Sequence, residues 1–415
     1  MTDTNSFKLD NGLRVIHHYD GSTPMAAVDI LYNVGSRDES PAHTGMAHLF
    51  EHLMFGGSAH VADYDKAIEM AGGWNNAWTN SDYTNFFDIL PAVNVETAFW
   101  AESDRMVFLS LNEKSLDVQR HVVVEEFKQT CMMKPYGDMG HLLRGLLYKV
   151  HPYRWPTIGL APEQILEVTQ QLALDFYRSH YAPNNAVLAV TGNVTLSRVK
   201  ELADKWFGAL EPRHIAPRTY APEPPVTQPR LLEVRRDVPA AKIVMAWPMG
   251  GYHDPHYTAA DILTDILANG KSSRFQRRLT VAGGIFDEAG ASILGSDEPG
   301  CLMVTGTLRA SDPATVSAAV DTLREQTVLA RDKGVDEIEL QRAVNKFESN
   351  LIFNNIGYQE LAQTLAMCEM HGENVNDILP RYSALTTDDI ADAARAIIDP
   401  QRECTLLYLP ESPTP

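Results

Sequence analysis

Six prolines crowded between Pro212 and Pro229 divide this chain into two halves. Proline has no amide hydrogen and a fixed φ. Pro212, Pro217, Pro222, Pro224, Pro225 and Pro229 therefore impose a stiff, extended linker. The pattern on one side of it is repeated on the other. Before it, an apolar strand, Met25–Val34, ends at Gly35; a polar loop leads to a helix over 44–55 that stops at Gly56-Gly57. After it, a strand over 240–247 leads through Gly250-Gly251 and a polar loop to a helix over 257–268 that stops at Asn269-Gly270. This restart predicts an internal duplication. The expected division is a first domain over 1–211, a linker over 212–229 and a second domain of the same fold over 230–415. At 415 residues, each half is long enough to bury a core of its own.

The remaining pattern is a mixture of strands and helices. Phe7–Leu9 and Leu13–His18 flank Asp10-Asn11-Gly12, a hairpin signal. Two half-exposed strands are expected over 74–90, and further strands over 186–191, 231–235 and 403–409. Helices are expected over 62–71, over 94–108 with Asn94 as cap, and from Ser115 through Gln129. Later helices are expected over 138–149, 162–180, 195–210, 312–331, 336–353, 359–371 and 387–398.

The segment Thr44-Gly45-Met46-Ala47-His48-Leu49-Phe50-Glu51-His52-Leu53-Met54-Phe55 carries the chemistry. A helix turns every ~3.6 residues, so His48 and His52 share a face and Glu51 lies beside them. Leu49, Phe50, Leu53 and Phe55 cover the other side. A polar triplet on so apolar a helix is partly buried, and buried ionisable groups need partners. Two imidazoles one turn apart can grip a metal ion, and the adjacent carboxylate can take a proton. The order His-x-x-Glu-His is the reverse of the better-known zinc-protease motif. Further on, Glu125 and Glu126 lie on a helix and point about 100° apart, so only one of them can face the histidines. In the second half the corresponding helix reads Ala259-Ala260-Asp261-Ile262-Leu263 and has no histidine, which places the metal in one copy only.

Composition excludes some partners. The net charge is −19, from 35 basic and 54 acidic residues, which argues against nucleic acid or an anionic membrane surface. No apolar run reaches the ~20 residues of a membrane span. The start, Met1-Thr2-Asp3-Thr4-Asn5-Ser6, lacks the features of a signal peptide and points to the cytoplasm unless a leader was removed. Cys131, Cys301, Cys368 and Cys404 are widely spaced and read as free thiols. His17, His18, His60, His214 and His371 read as surface residues. His121 lies near the presumed ligand face, and His151 reads as part of a loop.

Three groups of residues together resemble the pitrilysin family of zinc metallopeptidases, which includes insulin-degrading enzyme and the mitochondrial processing peptidase. They are His48-Leu49-Phe50-Glu51-His52 with Met54-Phe55-Gly56-Gly57; Asn76-Ala77-Trp78-Thr79 with Thr84; and Val122-Val123-Val124-Glu125-Glu126. Pro183, Val190-Thr191-Gly192-Asn193 and Ser272-Ser273-Arg274-Phe275 fit as well, and the likeness covers nearly the whole chain. It implies an α+β fold: two homologous α/β domains, each a mostly antiparallel sheet with helices on one face. It implies one Zn2+ per chain, held by His48, His52 and Glu126, with Glu125 as the alternative ligand. Glu51 would be the catalytic base, acting on a water in the open zinc position. Asn76, Ala77, Trp78 and Thr79 would form an edge strand on which a peptide substrate adds as a further strand. Gln119 and Glu125 would support the ligands from outside. Gln119 stands where relatives carry a glutamate.

One departure matters. Active sites in this family usually borrow an Arg-x6-Tyr pair from the second domain. The matching stretch here runs from Arg277 to Asp287, with Thr280 at the arginine position and no tyrosine. Arg278 and Phe286 are the available stand-ins. The resemblance therefore implies a zinc endopeptidase of short or unfolded polypeptides that works as a dimer, with itself or with a related subunit that supplies the missing pair. The alternative is a non-catalytic structural or assembly subunit of the same fold. Intact His48, Glu51, His52 and Glu126 favour the enzyme.

Overall fold

The computed structural model describes residues 2–281 and 284–412. They form two compact units. The first comprises Met1–Lys128, Trp155–Tyr220 and Leu351–Ile378; the second comprises Gln129–Arg154, Ala221–Asn350 and Leu379–Pro415. One change of unit, between Tyr220 and Ala221, falls within the proline-rich stretch, while Gln129–Arg154 and Leu351–Ile378 interleave.

The first unit contains β1 (Asn5–Lys8), β2 (Arg14–Tyr19), β3 (Met25–Tyr32), β4 (Trp74–Thr79), β5 (Thr84–Pro91) and β6 (Ala186–Gly192). They make one sheet in the order β1-β2-β6-β3-β5-β4. The β2–β6 pair is parallel, and the other neighbours are antiparallel. Apart from the buried Asp29, β3 is apolar, and both of its faces are covered. Val28, Ile30 and Tyr32 pack with Leu49, Phe50 and Leu53 of the helix Met46–Leu53. Ala27 and Leu31 pack with Leu361, Ala362, Leu365 and Ala366 of Tyr358–His371, a helix from far down the chain. The period-2 alternation of a strand sorts its residues into these two layers.

The second unit contains β7 (Arg230–Arg236), β8 (Lys242–Pro248), β9 (Phe286–Leu294), β10 (Cys301–Leu308) and β11 (Cys404–Pro410), in the order β7-β11-β8-β10-β9. Only its β7–β11 pair is parallel among the described pairs. Here the helix Met139–Leu147, from the earlier half of the chain, packs Leu143, Leu146 and Leu147 against Val244, Ala246 and Leu406. Cys131, Cys301, Cys368 and Cys404 form no disulfide among the described residues, as expected.

Several local expectations need correction. The helix expected over 162–180 is broken into Pro162–Leu166 and Gln170–His180, because Thr169 leaves the helix and caps the second piece through the amide of Leu172 at 3.2 Å. Asn94 does not cap; its side-chain amide donates to the carbonyl of Ala71 at 2.9 Å, and the helix begins at Glu96. β9 and β10 were not anticipated, nor was the helix Val375–Ser383. In β9, Asp287, Glu288, Ala289, Gly290 and Ala291 are poor strand formers, and tertiary pairing with β10 overrides them. His17 is buried, not exposed, with Nε2 at 2.7 Å from the carbonyl of Val194.

Candidate metal centre

The helix Met46–Leu53 buries Met46, Ala47, Leu49, Phe50 and Leu53. That choice of face leaves His48, Glu51 and His52 on the other side. Phe50 is held against Tyr181, with ring centroids 5.3 Å apart, so the helix cannot roll freely. A second helix, Glu113–Phe127, is capped by Asn112, whose side chain accepts from the Ser115 amide at 3.0 Å. It buries Leu116, Val123, Val124 and Phe127. This burial directs Glu126 toward the histidines and Glu125 away from them.

Glu126 Oε2 lies 3.3 Å from His52 Nε2 and 3.7 Å from His48 Nε2. The two imidazole rings are 4.9 Å apart. Among the described residues, His48, His52 and Glu126 form the one group of three or more His, Cys, Asp or Glu whose ligand atoms lie within 4.8 Å of one another. Glu125 stands apart: its carboxylate accepts from Lys128 Nζ at 2.6 Å at the surface. Gln119, two turns before Glu126, is half-buried on the same helix. Its neighbour Arg120 ties that helix to the carbonyl of Val168 at 2.8 Å. His121 is exposed and bonds its own helix at the carbonyl of Asp117, away from the cluster.

The electrostatics suit a cation. Burial pushes His48 down to about 4, against the pull of Glu126. It is neutral at pH 7, so an unprotonated nitrogen is available. The hydrogen bond from His52 holds the Glu126 carboxyl below its usual range, against burial. Burial raises Glu51, while a bond from Thr79 opposes the rise. Two imidazole nitrogens and one carboxylate oxygen converge here, a donor set that suits a zinc ion.

β4 is the outer strand of the first sheet and pairs with β5 alone. Its residues alternate. Trp78 packs on the layer of Tyr358–His371, and Ala77 packs on the opposite layer. Asn76 bonds locally to the Ala77 amide. Thr79 is the member that joins the cluster: Oγ1 donates to Glu51 Oε2 at 2.6 Å. Sequence reasoning missed this contact, since the two residues lie on different elements 28 positions apart.

The second unit carries no such cluster among the described residues. On Tyr257–Ala268, Asp261 accepts from the Tyr382 hydroxyl at 2.8 Å and Asp265 pairs with Lys346 at 3.1 Å. Of the two stand-ins, phenylalanine has no hydroxyl to offer a carbonyl. Phe286 is buried at the start of β9, and Arg278 donates to Gln326 at 2.9 Å. Ala282 and Gly283 of that stretch lie outside the described residues.

Known proteins resemble this chain over both halves. Residues 14–137 match the family model described as Insulinase (Peptidase family M16), and residues 167–347 match Peptidase M16 inactive domain. The chain is similar to the zinc protease PqqE of Helicobacter pylori, 31% identical over 284 residues that span 66% of this chain and 63% of that protein. It is also similar to an uncharacterized zinc protease of Streptomyces coelicolor, 27% identical over 94% of this chain and 86% of that protein. In fold it matches the crystal structure of a protease from Helicobacter pylori, with a TM-score of 0.92 and 24% identity over 99% of this chain and 100% of that one. No helix among the described residues is long and apolar enough to cross a membrane. With both halves matched in order, and with relatives named as zinc proteases, the chain belongs to peptidase family M16.

Proposed function

We propose that this chain is the zinc-bearing subunit of an endopeptidase that cuts short or unfolded polypeptides. One observation carries the reading: His48, His52 and Glu126 converge beside a Glu51 that is held by the last residue of an open sheet edge. His48, His52 and Glu126 would hold one zinc ion, which when bound would supply Lewis acidity toward a peptide carbonyl. Glu51 would accept a proton as the carbonyl is attacked and deliver it to the leaving amine. The free edge of β4, Asn76 to Thr79, would pair with the substrate backbone, which favours extended peptides over particular sequences. Gln119 would support Glu126 along the helix. The metal-bearing domain would be 1–211, followed by the linker 212–229 and a metal-free copy over 230–415. Thr280 and the burial of Phe286 leave the carbonyl-steadying role to a related subunit, or to a second copy with an altered arrangement.

The test is peptide cleavage by the zinc-loaded chain, alone and with a related family subunit that carries the Arg-x6-Tyr pair. The pair is expected to cleave at least about 10²-fold faster, the worth of one oxyanion donor. A chelator should stop cleavage and added zinc should restore it. Full activity from the chain alone would end the pairing idea. Stoichiometric zinc with no cleavage in either setting would favour the structural-subunit reading instead.

The Thr79 contact makes a separate prediction. Its hydrogen bond favours the Glu51 carboxylate, so removing the bond raises the Glu51 pKa. Thr79→Val should therefore move the acid limb of the kcat/KM profile to higher pH and lower kcat/KM about tenfold near that limb. Thr79→Ser should restore both. An unmoved profile in the valine variant contradicts the role.

A further inference from the structure

We infer that Glu39 is a positioning residue for the metal centre: its buried carboxylate clasps the first amides of the helix Met46–Leu53 and so sets the angle from which His48 is presented. This rests on the zinc reading above. The helix is eight residues long and follows its N-cap, Gly45, which has φ +89° and no capping side chain. Its first amides would otherwise lack partners. Glu39, six residues upstream, supplies both: Oε2 accepts from the Gly45 amide at 2.9 Å, and Oε1 accepts from the Ala47 amide at 2.8 Å. A single-atom cap would let the helix pivot. A planar carboxylate bound through both oxygens restrains its height and its rotation together.

Ala47 is the residue immediately before His48, so the restraint acts where the first imidazole leaves the backbone. Glu126 and His52 face the ring on its Nε2 side, and its Nδ1 side has less to orient it. Metal-binding imidazoles usually donate their other nitrogen to a carbonyl or carboxylate, yet His48 Nδ1 is buried with no hydrogen-bond partner among the described residues. The backbone clasp takes over that task. Glu39 is itself well fixed. It ends the short turn Ser36–Asp38, which Trp155 anchors by donating to the Ser36 carbonyl at 2.8 Å. Arg37 of the same turn pairs with Asp82 at 2.7 Å, and Trp155 adds a side-chain hydrogen bond to the Glu39 carboxylate. The partial positive charge at a helix N-terminus favours a carboxylate there. Burial pushes the carboxyl up, and the two amide bonds oppose that rise. Burying an acid in this way is an expensive route to capping a helix whose only task is packing, where a local Ser, Thr or Asp would serve.

The experiment measures zinc affinity by chelator competition and the visible spectrum of the cobalt-loaded full chain. Wild type is compared with Glu39→Gln, Glu39→Ala and a control, Asn11→Ala. Asn11 is buried elsewhere in the same unit and donates to the carbonyls of Phe207 and Leu210. Glu39→Gln keeps the volume and one acceptor oxygen, so it is the deciding variant. It should bind zinc about tenfold more weakly and shift the cobalt bands, and Glu39→Ala should approach the hundredfold end of the range for supporting groups. Asn11→Ala should lower the melting temperature and leave affinity and spectrum unchanged. Wild-type affinity and spectrum in Glu39→Gln would overturn the inference, as would an equal change in Asn11→Ala. A wild-type chain that binds neither metal would instead overturn the zinc reading itself.

Discussion

Replacing Glu51 by glutamine is expected to lower peptide cleavage by about 10²–10⁴-fold while leaving the zinc content unchanged. Glu51 lies between the two histidines along the helix, but its carboxylate turns to Thr79 at 2.6 Å and is not one of the three converging ligand atoms. Its environment is tuned. Burial raises its pKa, and the Thr79 bond and nearby His52 lower it again. The net effect is upward, so the carboxyl holds a proton more readily than an ordinary carboxylate. Glutamine keeps the size of the side chain and an oxygen for Thr79 but cannot accept the proton. The measurement is kcat/KM on an unfolded peptide, made alongside metal analysis of the same preparation. Wild-type activity would remove Glu51 from the chemistry, and a loss of zinc would mean that it holds the metal.

How much of this was legible in the chain depends on the distance over which each feature is encoded. His48, Glu51 and His52 are local to one helix, so turn geometry alone puts them on one face. The choice between Glu125 and Glu126 was not local. Neighbouring carboxylates leave a helix in different directions, and which one faces inward depends on what Val123, Val124 and Phe127 pack against. The open edge strand was visible as a half-polar segment, but the Thr79–Glu51 contact needs two elements to meet. Glu39 looked like one acid among many until the helix amides were seen on its oxygens. In β3, an apolar run broken only by Asp29 announced burial on both sides. It did not reveal that the second cover would be Tyr358–His371, more than three hundred residues further on. β9 was missed because its acids, alanines and glycine carry no strand preference of their own, and its partner β10 holds it in the sheet.

The account turns on a metal held by two histidines and the inward-facing glutamate. His52 and Glu126 already approach to 3.3 Å, and Glu125 is engaged by Lys128 at 2.6 Å. Removing a ligand should cost more than the 10–100-fold attached to supporting groups, so the metal should not survive dialysis. The most direct measurement is the zinc content of the zinc-loaded, dialysed chain as wild type, Glu126→Ala and Glu125→Ala. The prediction is about one zinc per chain in wild type and in Glu125→Ala, and less than about a tenth of that in Glu126→Ala. Zinc retained by Glu126→Ala and lost by Glu125→Ala, or absent from the wild type, would contradict the account.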